Sequence, residues 1–389
     1  METRKVYMDY NATTPLHPAV KDAMVRDLEL YANASSMHQD GRAARARVEE
    51  ARRAVAELIG AGADPERVVF TSGGSESNNT VFATAFHLGR KGPRRAIITT
   101  SIEHPCVLNA ALWLKDEGFP VTFLKVDQHG KIDMDEFKAA LGPETLLVSI
   151  MAANNEIGTI QDLAEIGRLA KAAGALFHSD ATQAAGKIPV GVDEWKADYL
   201  TLSCHKIYGP KGVGALYIRK GAPIEPLIRG GHQEHGHRAG TYNNVGILGF
   251  GEAARLAKAE LAEYAARVGA LRNRLRDGIV AAIPKVKVNG HPVQVLPNTL
   301  NVSFPGAEGE AILLYLDLAG IEVSTGSACA SGSLEPSHVL LATGVGPELA
   351  HGSIRFSLGR LSTEDDVDYV LSILPGVIKR LRAMSTVEA

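Results

Sequence analysis

Residues 176–206 read LFHSDATQAAGKIPVGVDEWKADYLTLSCHK. Two short apolar runs stand out, Leu176-Phe177-His178 and Tyr199 to Ser203. Each gives way to a polar cluster: Asp180, Thr182 and Gln183 after the first, Cys204, His205 and Lys206 after the second. Runs of this length and composition are strands, and the carboxyl ends of strands are where open α/β sheets bind ligands. Five more strand candidates lie outward from these two: Val68 to Phe70, Ala96 to Thr99, Val121 to Val126, Leu146 to Met151 and Ala215 to Ile218. Helical patterns at Glu76 to Leu88, Pro105 to Glu117 and Leu163 to Ala173 fall between several of them. Strands interleaved with helices predict an α/β domain around a mostly parallel, seven-stranded sheet.

Farther on, Leu261, Tyr264, Val268, Leu271, Leu275 and Ile279 step by three or four, which predicts a long amphipathic helix linking two domains. After it, Val295 to Phe304, Ile312 to Leu318 and Ile354 to Leu358 predict a smaller α+β domain. The expected division is a large domain at 15–255 and a small one made of 1–14 with 256–389. A length of 389 residues agrees with two domains.

Composition excludes several functions. A net charge of −3 argues against a nucleic-acid groove or a polybasic membrane patch, both of which need clustered cations. No run of 18 apolar residues and no apolar signal core occur, so neither a membrane span nor a leader is expected. Three cysteines, Cys106, Cys204 and Cys329, with no CxxC, do not make a disulfide framework. A cytoplasmic protein is expected.

Seven motifs carry chemistry. Lys206 follows a buried strand, where lysine is unusual; the alternative is a surface lysine past the strand end. Asp180 ends the other strand and has a helix N-cap as its alternative role. Together, an Asp for a pyridinium nitrogen and a Lys for a Schiff base are what pyridoxal phosphate (PLP) requires of a protein. The run Phe70 to Ser77, FTSGGSES, reads as strand, glycine turn and helix start, and Gly73 and Gly74 would let a phosphate approach the free N–H groups. His104, in SIEHP, is placed to lie flat on a cofactor ring or to serve structure alone. Asn154 and Asn155 follow another strand. Cys329, in STGSACASGSLEPS (324–337), has small polar neighbours and no apolar period, which suits a nucleophile on a mobile loop. Arg355, inside the alternation SIRFS, fits either a substrate carboxylate or a structural ion pair. Cys106, next to Val107 and Leu108, reads as a packing residue, and Cys204 as packing or site. The histidines at 232, 235 and 237 sit in a glycine-broken run unsuited to a metal, and no metal is expected.

In combination MDYNATTPL, FTSGGSES, IEHP, NNEIGT, FHSDATQAAGK, SCHKIYGPKG, RAGTYN, STGSACASGSLEPSHV and SIRFSLGR resemble the cysteine desulfurases of the nitrogen-fixation and iron–sulfur-cluster type, which are PLP enzymes of the class V aminotransferase group with fold type I. The resemblance implies Lys206 as the Schiff-base lysine, His104 stacked on the ring, Asp180 on the ring nitrogen and Gln183 on the phenolic oxygen. It implies that Gly74, Ser75, Ser203 and His205 hold the phosphate, with Thr241 supplied across a homodimer. Asn155 and Arg355 would bind the carboxylate of L-cysteine, and Cys329 would become a persulfide and pass sulfur to an iron–sulfur scaffold protein or another acceptor. A selenocysteine lyase, another class V enzyme, or an inactive scaffold homologue would share much of this pattern. Two departures stand out: Cys204 replaces the usual Gly, and Ser75 a common Thr.

Overall fold

A computed structural model describes residues 4–60, 64–325 and 335–385. The seven apolar runs form one sheet in the order Val68–Thr71, Gly214–Ile218, Tyr199–Ser203, Leu176–Asp180, Thr145–Ser149, Ala96–Thr100 and Val121–Leu124. Gly214–Ile218 runs antiparallel to both neighbours, and every other pairing is parallel. The strands are buried on both faces: Val148 and Leu200 face one core, while Leu147 and Tyr199 face the other. That is why they read as continuous apolar runs and not as an alternation.

The helices Gly74–Lys91, Pro105–Asp116 and Leu163–Ala172 occupy the expected places. Two more, Pro18–Asp27 and Gln39–Leu58, pack on the long helix and were not expected. The long helix runs from Asn244 to Ala282, and the Asn243 side chain caps it by accepting from the Gly246 N–H. It starts earlier than its apolar stepping indicates, because Ile247 to Phe250 are buried all round in the first core. Its later residues Val268, Leu271, Leu275 and Ile279 belong to a separate core.

That second core lies under an antiparallel sheet in the order Ser324–Thr325, Ser353–Ser357, Thr299–Ser303, Lys287–Asn289, with the helices Gly309–Leu318 and Glu364–Met384 packed on it. The N-terminal strand Val6–Tyr7 pairs with Ile321–Glu322 of this half. The chain then crosses to the large sheet, with Asn11 N–H donating to Ser357 Oγ at 2.9 Å. Among the described residues no helix is long and apolar enough to cross a membrane.

Candidate active site

A cavity of about 370 Å³ opens at the carboxyl edge of the large sheet. It is lined by Gly74, Ser75, His104, Asn155, Asp180, Gln183, Ser203, His205, Lys206 and Arg355. The sequence places these residues on at least six separate segments; the large sheet gathers most of them by ending its strands on one edge, and Arg355 comes from the strand Ser353–Ser357 of the smaller sheet.

Asp180 is buried at the end of its strand. Oδ1 accepts from the Thr182 N–H at 2.9 Å, which closes a turn, and Oδ2 accepts from Asn78 Nδ2 at 2.7 Å. No helix starts here, so the N-cap alternative gives way to a turn closed by Oδ1, and Asp180 lines the cavity. Lys206 closes a single helical turn after Ser203, and its Nζ donates to the carbonyls of Asn11 (2.5 Å) and Ala12 (2.7 Å).

His104 caps the helix Pro105–Asp116: its Nδ1 accepts from the Cys106 N–H at 3.2 Å and lies 3.0 Å from Cys106 Sγ. An Nδ1 that accepts cannot carry the proton, so the neutral ring is protonated on Nε2. Burial lowers the His104 pKa; Asp180 opposes this, and Lys206 and His338 reinforce it. His205 is pushed down to about 4 by burial and then by Lys206, Lys211 and Lys187, and its Nδ1 lies 3.1 Å from Thr13 Oγ1.

Cys106 packs against the core around Val107, as expected, and has a second role as well. It lines the cavity, with Asn78 Nδ2 at 3.2 Å from its sulfur as well as His104. Burial, reinforced by Asp180, pushes its thiol up to about 12, so it is not the thiolate of the site. Cys204 is fully buried in the core, and burial alone raises its thiol. The room it fills is opened by Gly209, where a Cβ would come within 2.0 Å of the Cys204 sulfur.

Arg355 is 2% exposed, makes the ion pair the sequence allowed, and also lies on the cavity wall. Its guanidinium pairs with Asp9 Oδ1 at 2.7 Å and donates to the Asn155 carbonyl at 3.2 Å, and it also lines the cavity, with Nε unpartnered. Cys329 lies outside the described residues. On one side of it, Ser324 and Thr325 pair with Arg355 and Ile354. On the other, Ser337 Oγ donates to Glu156 Oε2 at 2.5 Å, and His338 Nε2 bonds the Glu103 carbonyl at 3.0 Å. One flank thus pairs with the strand that carries Arg355, and the other meets the loops that carry Asn155 and His104. Thr241 is exposed and lies outside this cavity.

The residues fit PLP. A carboxylate, an amine, a neutral imidazole and a helix start with free N–H groups surround a volume typical of small-molecule sites. Thr182 Oγ1, buried and without a partner, lines the same space, and a Cβ on Gly74 would come within 3.1 Å of it. Sequence reasoning passed over Asn11, Asn78 and Thr182. Asn78 carried a signal, since four residues after Gly74 it shares that residue's helix face.

Fold and site together define a class, and the family model described as "Aminotransferase class-V" matches residues 6–370. The chain belongs to that family. It is 51% identical over 384 residues to "Cysteine desulfurase IscS" of Dictyoglomus turgidum, covering 98% of this chain and 96% of the relative. The solved structure titled "NIFS-LIKE PROTEIN" aligns with a TM-score of 0.91 at 40% identity, over 97% of this chain and all of that one. A second, "SspA in complex with cysteine", aligns at 0.80 with 34% identity over 92% of this chain and all of that one. The α/β architecture with a mostly parallel central sheet, expected from the sequence, is that of these NifS-like structures.

Proposed function

We propose that this chain is a PLP-dependent cysteine desulfurase that converts L-cysteine to L-alanine and leaves the sulfur as a persulfide on Cys329. The observation that carries this reading is the convergence of Lys206, Asp180 and His104 on one cavity whose rim meets both flanks of the Cys329 segment. Full-length likeness to relatives named cysteine desulfurase supports it.

PLP, when bound, supplies an electron sink for bond breaking at the substrate Cα. Asp180 faces the ring nitrogen and keeps it protonated. Gln183 meets the phenolic oxygen. Gly74, Ser75, Ser203 and His205 take the phosphate, and Thr241 of the partner subunit completes that cradle in a homodimer. His205, held neutral, contributes a hydrogen bond there and no charge. Lys206 would hold the cofactor through its amine, and the free Nζ would be the group that takes the substrate's Cα proton. Asn155 and Arg355 hold the substrate carboxylate. His104 stacks on the ring and, with its proton on Nε2, is the proton carrier of the site. Cys329 attacks the substrate sulfur; the S–S bond forms as the Cβ–S bond breaks, and alanine leaves.

The large domain, 15–255, holds the cofactor. The small domain, 1–14 with 256–389, carries the segment 324–337 that delivers sulfur to an iron–sulfur scaffold or another persulfide acceptor in the cytoplasm. Incubation of the purified protein with PLP and L-cysteine should yield L-alanine in step with protein-bound or released sulfur. No alanine from L-cysteine would overturn the assignment.

A further inference from the structure

Lys187 is 2% exposed, a burial that lysine rarely accepts without an anion. Among the described residues no carboxylate pairs with it. Burial pulls its pKa well below the usual lysine range, and the charged neighbours that add to this, Lys206 and Arg355, are both cations. Its Nζ meets amide oxygens instead: Gln183 Oε1 at 2.6 Å and, at the limit of contact, Asn11 Oδ1 at 3.5 Å.

The Gln183 contact decides which end of that side chain faces the cavity. A primary amide has two orientations that exchange a pure acceptor for a double donor. Here Gln183 Nε2 donates to the Asn11 carbonyl at 3.0 Å, and that carbonyl also receives Lys206 Nζ at 2.5 Å. A shared acceptor is a weak restraint on its own. Lys187 adds the second restraint, because an amine placed on Oε1 would face N–H groups if the amide turned over. One Nε2 hydrogen is used by Asn11, and the other is left for the cavity that Gln183 lines. A donor on Oε1 also polarises the amide and strengthens the N–H at its far end.

We propose that Lys187 is a positioning residue of the cofactor site, holding Gln183 so that an N–H, and not an oxygen, meets the phenolic oxygen of PLP. This rests on the reading of the cavity as a PLP site.

The test is a pH titration of the visible absorbance of the PLP-loaded protein. In Lys187→Met the donor to the phenolic oxygen weakens, so the proton shared with the Lys206 nitrogen is held to higher pH. The midpoint should rise by about half a unit or more, roughly a threefold change in the protonation equilibrium. Lys187→Leu is a second apolar replacement should Met not fold, and the melting temperature of the unloaded variants checks integrity. In a Gln183→Leu background the same Lys187 change should add no further shift. A midpoint that stays put in Lys187→Met, or a shift that persists without Gln183, would overturn the inference in favour of a structural or through-space role. A wild-type protein that gains no visible absorbance with PLP overturns the cofactor reading and this inference with it.

Discussion

Arg355→Ala separates substrate binding from structural support, because this side chain serves both a cavity wall and an ion pair. One guanidinium edge is on Asp9 and one N–H on the Asn155 carbonyl, which leaves Nε and the cavity-facing side for a ligand. A hydrogen bond to a charged group is worth ~1.5–3 kcal/mol. At ~1.4 kcal/mol per tenfold, Arg355→Ala should lower kcat/KM for L-cysteine roughly 10- to 150-fold, mostly through KM. Asp9 keeps 21% of its side chain exposed, so water can replace its lost partner and the protein should remain folded. Asp9→Asn is the decisive companion. It removes the ion pair but leaves the guanidinium in the cavity wall, with one fewer competitor for a carboxylate. KM for L-cysteine should therefore stay near wild type or fall in Asp9→Asn and rise in Arg355→Ala. Steady-state kinetics on both, with PLP absorbance measured on the same samples, decides the matter. Equal losses in the two variants would refute the reasoning and make Arg355 an ion-pair residue only.

Lys206→Ala should abolish both turnover and the visible absorbance of bound PLP, measured by spectrum and alanine assay. Cys329→Ala should still load PLP and respond spectrally to L-cysteine, yet form no persulfide by mass spectrometry. Glu103 is fully buried, and burial raises its carboxyl from 4.5 to about 8, with Asp180 adding to the shift. A raised folded-state pKa means a stabilising contribution that is complete below about pH 4.5 and lost as pH rises through about 8. Melting temperature should thus fall less steeply across that window in Glu103→Gln than in wild type. Gly209→Ala should destabilise by ~1–3 kcal/mol through its collision with Cys204. Adding Cys204→Gly should recover part of that loss in a denaturant titration, whereas additive losses would contradict the packing.

The strands were legible because both faces of the sheet are covered, which leaves runs such as Val68 to Phe70 and Ala215 to Ile218 apolar without interruption. The helix Gln39–Leu58 was not, since half of its buried positions are Gly41, Ala44, Ala51 and Ala56 and another is Arg52, set among charges. In the site, the polar clusters after strands could be read locally: Asp180, Lys206 and His104 each follow an apolar run. Asn11 could not, because its partners Asn155, Thr299 and Ser357 are far away along the chain. Cys106 was read correctly as a packing residue, and only its cavity side escaped, for a related reason. Its neighbours Val107 and Leu108 suggest a core, but it is the second residue of a helix capped by His104, which turns its sulfur toward that ring.

The crossing of the N-terminal segment sets an order of assembly. Asn11 receives Lys206 and Gln183 on its carbonyl while its own N–H reaches Ser357, 346 residues away. Val6 and Tyr7 find their strand partner only at Ile321 and Glu322, more than 300 residues later. Contacts of such long range form late, after shorter loops have closed. On the ribosome the large sheet can form well before the wall that Asn11 and Arg355 give the cavity, so the pocket takes its final shape only when nearly the whole chain has emerged. A nascent chain stalled before residue 357 would hold Lys206 and Asp180 in place and still lack the side of the pocket that selects an amino acid.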